Sequence, residues 1–113
     1  MNTIKRLEKI VAKRANDDPK KSYVAKLNAR GVKQIGKKLG EEAVEVVIAA
    51  LVEDREALVG EAADLVFHLI MLLEAKGVRF DEVLAELERR EGKSGLAEKA
   101  ERQEKERAKE KAK

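Results

Sequence analysis

The sequence predicts an all-α protein, a helical bundle of about five helices with two long central antiparallel ones and a dimeric four-helix core. Three observations carry that expectation. The composition is rich in Ala, Leu, Val, Glu, Lys and Arg, with a single proline and 3% aromatic residues, the profile of helical proteins. Apolar residues recur at three- and four-residue spacing between cap and breaker residues. From Ala62 to Leu73 only Asp64 and His68 are polar, and a helix apolar nearly all round is normally buried on several sides.

Residues 3–15 read as a first helix, with Ile4, Leu7, Ile10 and Val11 on one face; Asn16-Asp17-Asp18-Pro19 ends it. Ser22 suits the N-cap of a short helix, YVAKLNAR, with Tyr23 and Leu27 on its apolar edge and Gly31 past its end. Residues 32–52 form the first long helix, whose core stripe is expected to be Ile35, Leu39, Ala43, Val46 and Ala50, opposite its glutamates. Gly36 and Gly40 lie on or beside that stripe. Each is worth up to about 1 kcal/mol less than Ala in a helix, so a close backbone approach is expected there. Asp54 suits the N-cap of the second long helix, which runs to about Lys76 before Gly77. The link between the long helices is only a few residues, so they should pack antiparallel. Asp81 is expected to cap a fifth helix, DEVLAELERRE, that stops at Gly92.

The chain divides into a body, residues 1–92, and a tail, residues 93–113. The body carries 17 Lys/Arg and 17 Asp/Glu; the tail carries 8 and 5, and so supplies the whole net charge of +3. The body therefore has no overall bias toward nucleic acid, and no nucleic-acid partner is expected. The tail should be disordered or partly helical, because Leu96 is its only large apolar residue. The N-terminus, MNTIKRLEKIVAKRAN, is a charged amphipathic segment rather than a signal peptide. No stretch approaches the roughly 18 apolar residues of a membrane span. The chain has no cysteine, which fits a reducing, cytoplasmic setting.

The chemistry concentrates in the two long helices. Glu41, Glu42 and Glu45 share an arc of roughly 100°, with Lys38 pointing into it; Glu61, Asp64 and His68 share one of roughly 60°. Like charges at i, i+4 destabilise a helix by roughly 0.2–0.5 kcal/mol, and a bound cation would relieve that. Glu45 and Glu61 stand about eight residues either side of the turn near Glu53, so the two acidic clusters can face each other. The spacing Glu-Glu-x-x-Glu alone describes an ordinary solvated face paired with Lys37 and Lys38. Asp64 within an apolar helix at matching height argues for a site, and both Asp64 and His68 are expected to be buried. Five carboxylates without cysteine suit Mg²⁺, or Mn²⁺, rather than zinc. His68 is read first as a core histidine satisfied by Asp64 or by a carbonyl, and second as a substrate contact. Lys37 and Lys38 can serve as mobile phosphate-binding charges.

The pattern Glu41-Glu42-x-x-Glu45 followed by Glu61-x-x-Asp64 resembles that of the all-α, MazG-like nucleotide pyrophosphohydrolases. More narrowly, KSYVAKL (21–27), KKLGEEAVEVVIAA (37–50), EAADLVFHLIMLL (61–73) and DEVLAELERR (81–90) look like the phosphoribosyl-ATP pyrophosphatases of histidine biosynthesis. The resemblance covers residues 3–91. Phe67 stands where that family commonly has Tyr, which leaves the acidic motif intact. The resemblance implies Mg-dependent hydrolysis of phosphoribosyl-ATP to phosphoribosyl-AMP and pyrophosphate by a homodimer. Glu41, Glu42, Glu45, Glu61 and Asp64 would be the metal-holding and catalytic set, and Ser22, Tyr23, Lys26, Lys37, Lys38 and His68 the substrate-binding candidates. A monofunctional enzyme is expected, without the cyclohydrolase domain fused to it in some organisms. Two other readings stay open: a house-cleaning nucleoside triphosphate pyrophosphatase with the same metal site, and a non-catalytic helical dimerisation module.

Overall fold

The computed structural model describes residues 2–92 and 95–112. Its regular elements are six helices: α1 (Thr3–Arg14), α2 (Tyr23–Arg30), α3 (Val32–Val52), α4 (Arg55–Ala75), α5 (Phe80–Arg89) and α6 (Gly95–Lys111). They form two compact units that divide between Phe80 and Asp81. Among the described residues no helix is long and apolar enough to cross a membrane.

In the first unit, local chemistry sets the helix ends. Asn2, Ser22 and Asp54 each turn a side-chain oxygen onto a backbone N–H of the first turn, at 3.2, 3.2 and 2.8 Å. Such a cap is typically worth about 1 kcal/mol. Gly31, at φ 93°, occupies a region that side chains disfavour, and so lets α2 stop and α3 start one residue later. Only Glu53 and Asp54 separate α3 from α4. The pair therefore forms an antiparallel hairpin, which among the described residues is the most extensive helix–helix contact.

α1 and α2 cover one end of this hairpin. Val11, Val24, Leu27, Ile35, Ile70 and Met71 form the buried cluster there, with Ile4, Leu7, Val66, Phe67, Leu72 and Phe80 packed against it. Ile35 opens α3, and Ile70 and Met71 lie late in α4, so the core sits at the end away from the turn. The turn end has no such cover. Val44, Val47, Ile48, Leu51 and Val52 of α3 and Val59 of α4 are all exposed.

Three expectations are corrected here. On α3, Ile35, Glu42 and Ala49 are buried and Leu39 and Val46 half-buried, so Ile35, Leu39 and Val46 of the expected stripe face inward, while Ala43 and Ala50 are exposed. The expected stripe is thus turned by part of a residue toward Glu42 and Ala49, because periodicity locates a helix face only to within a fraction of a turn. No backbone closely approaches Gly36 or Gly40 in this chain, since a Cβ at either would meet nothing. Asp81 lies inside α5 rather than capping it. The Phe80 N–H is taken by Glu8 Oε2 at 2.8 Å, and Glu8 Oε1 also meets Arg79 at 3.3 Å. These partners explain why charged Glu8 is buried on α1 while Ile10 is exposed; a partner more than seventy residues away leaves no local signal.

In the second unit, Arg89 near the end of α5 gathers three carboxylates, Glu86 at 2.9 Å, Glu98 at 2.6 Å and Glu101 at 3.5 Å. Hydrogen bonds from Arg89, then Arg90, hold the Glu86 carboxyl down to about 2. Its contribution is therefore present above the ordinary carboxylate range and is lost as pH falls toward 2. The described part of the tail, residues 95–112, is mostly helical and is held by charge rather than apolar burial: Glu98 is buried and Leu96 is 82% exposed. Residues 93, 94 and 113 of the tail lie outside the described residues. Truncation after Gly92 is expected to leave kcat within about twofold of the full chain, since no group of the first unit's acidic cluster is removed. A steady-state assay on the folded truncation checks this, and a large fall in kcat would show that the tail reaches the chemistry.

Candidate metal centre and adjoining groove

Antiparallel pairing brings Glu42 and Asp64, each eleven residues from Glu53, to the same height on neighbouring helices. One oxygen each from Glu42, Glu61 and Asp64 lie within 4.8 Å of one another. Oxygens around an octahedral Mg²⁺, bound at about 2.1 Å, are at most about 4.2 Å apart. The trio is thus close enough to share a small hard cation after the side chains draw together. Glu42 is buried, Glu61 half-buried and Asp64 exposed.

Of the five carboxylates singled out from the sequence, these three converge and Glu41 and Glu45 do not. Both of the latter are exposed. Glu41 shares Lys38 with Glu42: the Lys38 Nζ lies 3.7 Å from Glu41 Oε2 and 3.3 Å from Glu42 Oε1. The hydrogen bond to Glu42 is the main reason that the Lys38 ammonium is held above its ordinary range. Asp64 was expected to be buried and is not. α4 is apolar nearly all round, but only part of its circumference is covered within this chain, and Asp64 falls on the open part.

Burial, then repulsion from Glu45, Asp64, Glu42 and Glu53, raises the pKa of Glu61. A carboxyl raised in the fold favours folding while protonated. The metal-free protein therefore loses stability as pH rises through the range in which Glu61 ionises.

Beside the trio runs a groove of about 260 Å³, lined by Tyr23, Lys26, Leu27, Arg30, Gln34, Lys38 and Glu41. Two of the candidate lysines, Lys26 and Lys38, meet there; Lys37 is exposed and is not among the lining residues. Arg30 and Gln34 were not singled out from the sequence. The available signal was their spacing, Arg30 one turn beyond Lys26 and Gln34 one turn before Lys38. Tyr23 also borders a second groove of about 580 Å³, with Arg14, Asp17, Asp18, Lys21, Ser22, Val24 and Phe67. The Ser22 hydroxyl there accepts the Ala25 N–H as the α2 cap, so its first use is structural.

His68 is only 5% exposed, and both ring nitrogens have partners inside the protein. Nδ1 lies 2.7 Å from the main-chain carbonyl oxygen of Asp64, and Nε2 lies 2.7 Å from the Tyr23 hydroxyl. The Tyr23 and His68 rings meet edge-on, with centroids 5.6 Å apart. The first reading of His68, satisfied by a carbonyl, matches this geometry. The link to Tyr23, forty-five residues away, was not legible in the sequence. Burial raises the Tyr23 phenol above its usual value; Lys38 opposes this, and Glu42, Asp64 and Glu41 add to it.

Comparison with known proteins gives a consistent result. Residues 4–91 match the family model described as phosphoribosyl-ATP pyrophosphohydrolase. A phosphoribosyl-ATP pyrophosphatase of Erythrobacter litoralis is 62% identical over 102 residues, covering 90% of this chain and 98% of that one. One from Novosphingobium aromaticivorans is 65% identical over 97 residues, covering 86% and 91%. One from Zymomonas mobilis is 52% identical over 100 residues, covering 88% and 94%.

Proposed function

The chain belongs to the phosphoribosyl-ATP pyrophosphohydrolase family, and from that premise we propose that it hydrolyses phosphoribosyl-ATP to phosphoribosyl-AMP and pyrophosphate, the second step of histidine biosynthesis. The observation that carries the reading is the convergence of Glu42, Glu61 and Asp64 beside a groove lined by Lys26, Arg30 and Lys38. Acids that repel one another next to a row of cations suit a metal-bound polyphosphate.

In this reading Glu42, Glu61 and Asp64 would hold Mg²⁺, with Mn²⁺ as a substitute. When bound, the ion supplies charge stabilisation at the α–β phosphoanhydride and at the departing pyrophosphate. Glu42 is the best-fixed of the three, because it is buried and its other neighbour is Lys38. Lys38 links the trio to the groove and neutralises phosphate oxygens, assisted by Lys26 and Arg30. One carboxylate of the acidic set takes the proton of the attacking water as the α–β bond breaks; Glu41 and Glu45, outside the trio, are the available candidates. The body that does this is residues 1–92. It works as a homodimer, with a cytoplasmic location implied by the pathway.

The direct test is pyrophosphate release from phosphoribosyl-ATP by the purified protein with millimolar Mg²⁺. Turnover that needs the metal and strongly prefers phosphoribosyl-ATP to ATP is expected. Equal kcat/KM on ordinary nucleoside triphosphates would point to a broader pyrophosphatase, and no turnover on any of them would overturn the proposal.

A further inference from the structure

We infer that Tyr23 reads the sugar or base of the substrate rather than its phosphates, acting as a hydrogen-bond acceptor whose direction is set from behind by His68. The inference rests on the substrate reading above and adds to it which chemical part of that substrate meets which wall of the groove.

The direction follows from donor and acceptor chemistry. A carbonyl oxygen only accepts, so the 2.7 Å contact between His68 Nδ1 and the Asp64 carbonyl puts the ring hydrogen on Nδ1. A neutral imidazole has one N–H, so Nε2 is left as an acceptor. The Tyr23 hydroxyl, 2.7 Å from Nε2, must then donate to it. Burial favours the protonated phenol, so this proton is present at neutral pH. His68 is closed in on the α4 side and packed edge-on against both Tyr23 and Phe67, which holds the ring in this orientation. Tyr23 itself is 47% exposed and lines the groove. With its hydrogen given to Nε2, the phenol oxygen has lone pairs and no hydrogen to offer.

An acceptor of this kind discriminates. Phosphate oxygens are acceptors too, and two acceptors at hydrogen-bond distance repel. Ribose hydroxyls and N–H groups of a purine are donors and fit. The donors Lys26, Arg30 and Lys38 share the groove and suit phosphate. The groove thus has two polarities, cations for the phosphates and one fixed acceptor for the nucleoside.

The test is Tyr23→Phe, which keeps the ring and its edge contact and removes only the oxygen. It is assayed with Mg²⁺ at pH 8. Losing one hydrogen bond to a neutral group is expected to raise KM for phosphoribosyl-ATP about three- to tenfold. Binding of AMP, a nucleoside-bearing probe, should weaken by the same factor, while binding of inorganic pyrophosphate stays within twofold. His68→Leu should weaken AMP as Tyr23→Phe does, and His68→Gln, which offers both an N–H and an acceptor oxygen, should restore much of it. Thermal melts identify any variant that fails to fold, in which case Tyr23→Phe alone decides. Equal weakening of AMP and pyrophosphate would mean a merely structural tyrosine, and no change in either would mean that Tyr23 makes no ligand contact; both overturn the inference. Calorimetric binding of the two probes needs no turnover, so a failure of the substrate reading would be visible separately.

Discussion

Asp64→Asn is expected to lower turnover of phosphoribosyl-ATP well beyond tenfold, more than about 1.4 kcal/mol of barrier, while leaving the metal-free fold no less stable. The two effects have opposite signs for one reason. Asp64, Glu61 and Glu42 crowd like charges within 4.8 Å, and Glu61, raised first by burial and then by Glu45, is raised further by both of them. Neutralising one member relieves the metal-free protein and removes a ligand from the proposed ion. Asp64 is exposed, so the near-isosteric amide leaves no cavity. Millimolar Mg²⁺ should raise the melting temperature of the wild type and have little effect on that of the variant, since a ligand stabilises only the state that binds it. Glu41→Gln is the comparison: Glu41 lies outside the trio, so the shift with Mg²⁺ should persist. Activity in Asp64→Asn above a tenth of wild type, or an Mg²⁺ shift that survives it, would mean that the metal sits elsewhere.

Replacing Val47 and Leu51 by glutamate is expected to convert a dimer into a monomer and to cost more than tenfold in activity. Val44, Val47, Ile48, Leu51 and Val52 recur at i, i+3, i+4, i+7 and i+8 on α3, and Val59 joins them from α4. Leu51 is 76% exposed. A contiguous stripe of this size goes beyond what soluble monomers usually leave uncovered. Pairing two α3–α4 hairpins across a two-fold axis would bury it and complete a four-helix core. The stripe lies at the turn end, which α1 and α2 leave bare, so nothing else in the first unit competes for it. Charges placed at already exposed positions should disturb a monomer little, so loss of activity would come from loss of pairing. The trio sits on the same two helices, and the open side of Asp64 would be enclosed by a second copy. Sedimentation and concentration-dependent melting decide the matter. A wild-type protein that is monomeric and fully active at micromolar concentration would sink the idea.

The ends of α2, α3 and α4 are dictated locally and are legible in the sequence. Ser22 and Asp54 cap where side-chain oxygens can reach free N–H groups, Gly31 stops α2 by its positive φ, and the two-residue link forces α3 and α4 antiparallel. The shared height of the acidic clusters follows from that link and the rise per residue alone, so the presence of a metal-type site could be read without coordinates. The selection within it could not. Glu41, Glu42 and Glu45 are equivalent in spacing, and only the rotation of α3 against α4 turns Glu42 inward and leaves the other two out. That rotation is set by packing between whole helix surfaces, which periodicity does not resolve to a fraction of a turn. The exposure of Asp64 was misjudged for a related reason, because α4 is buried only where neighbours cover it.

The sequence by itself determined the helical class, the ends of α2, α3 and α4, the acidic pair of turns and the family. Each of these depends on residues within a few positions of one another, or on order along the chain. The tertiary structure alone decided which three carboxylates meet, that Tyr23 bonds to His68, that Arg30 joins the groove, and that Glu8 reaches the Phe80 N–H. Those contacts join residues on different helices, and their existence depends on side chains whose positions are set by packing.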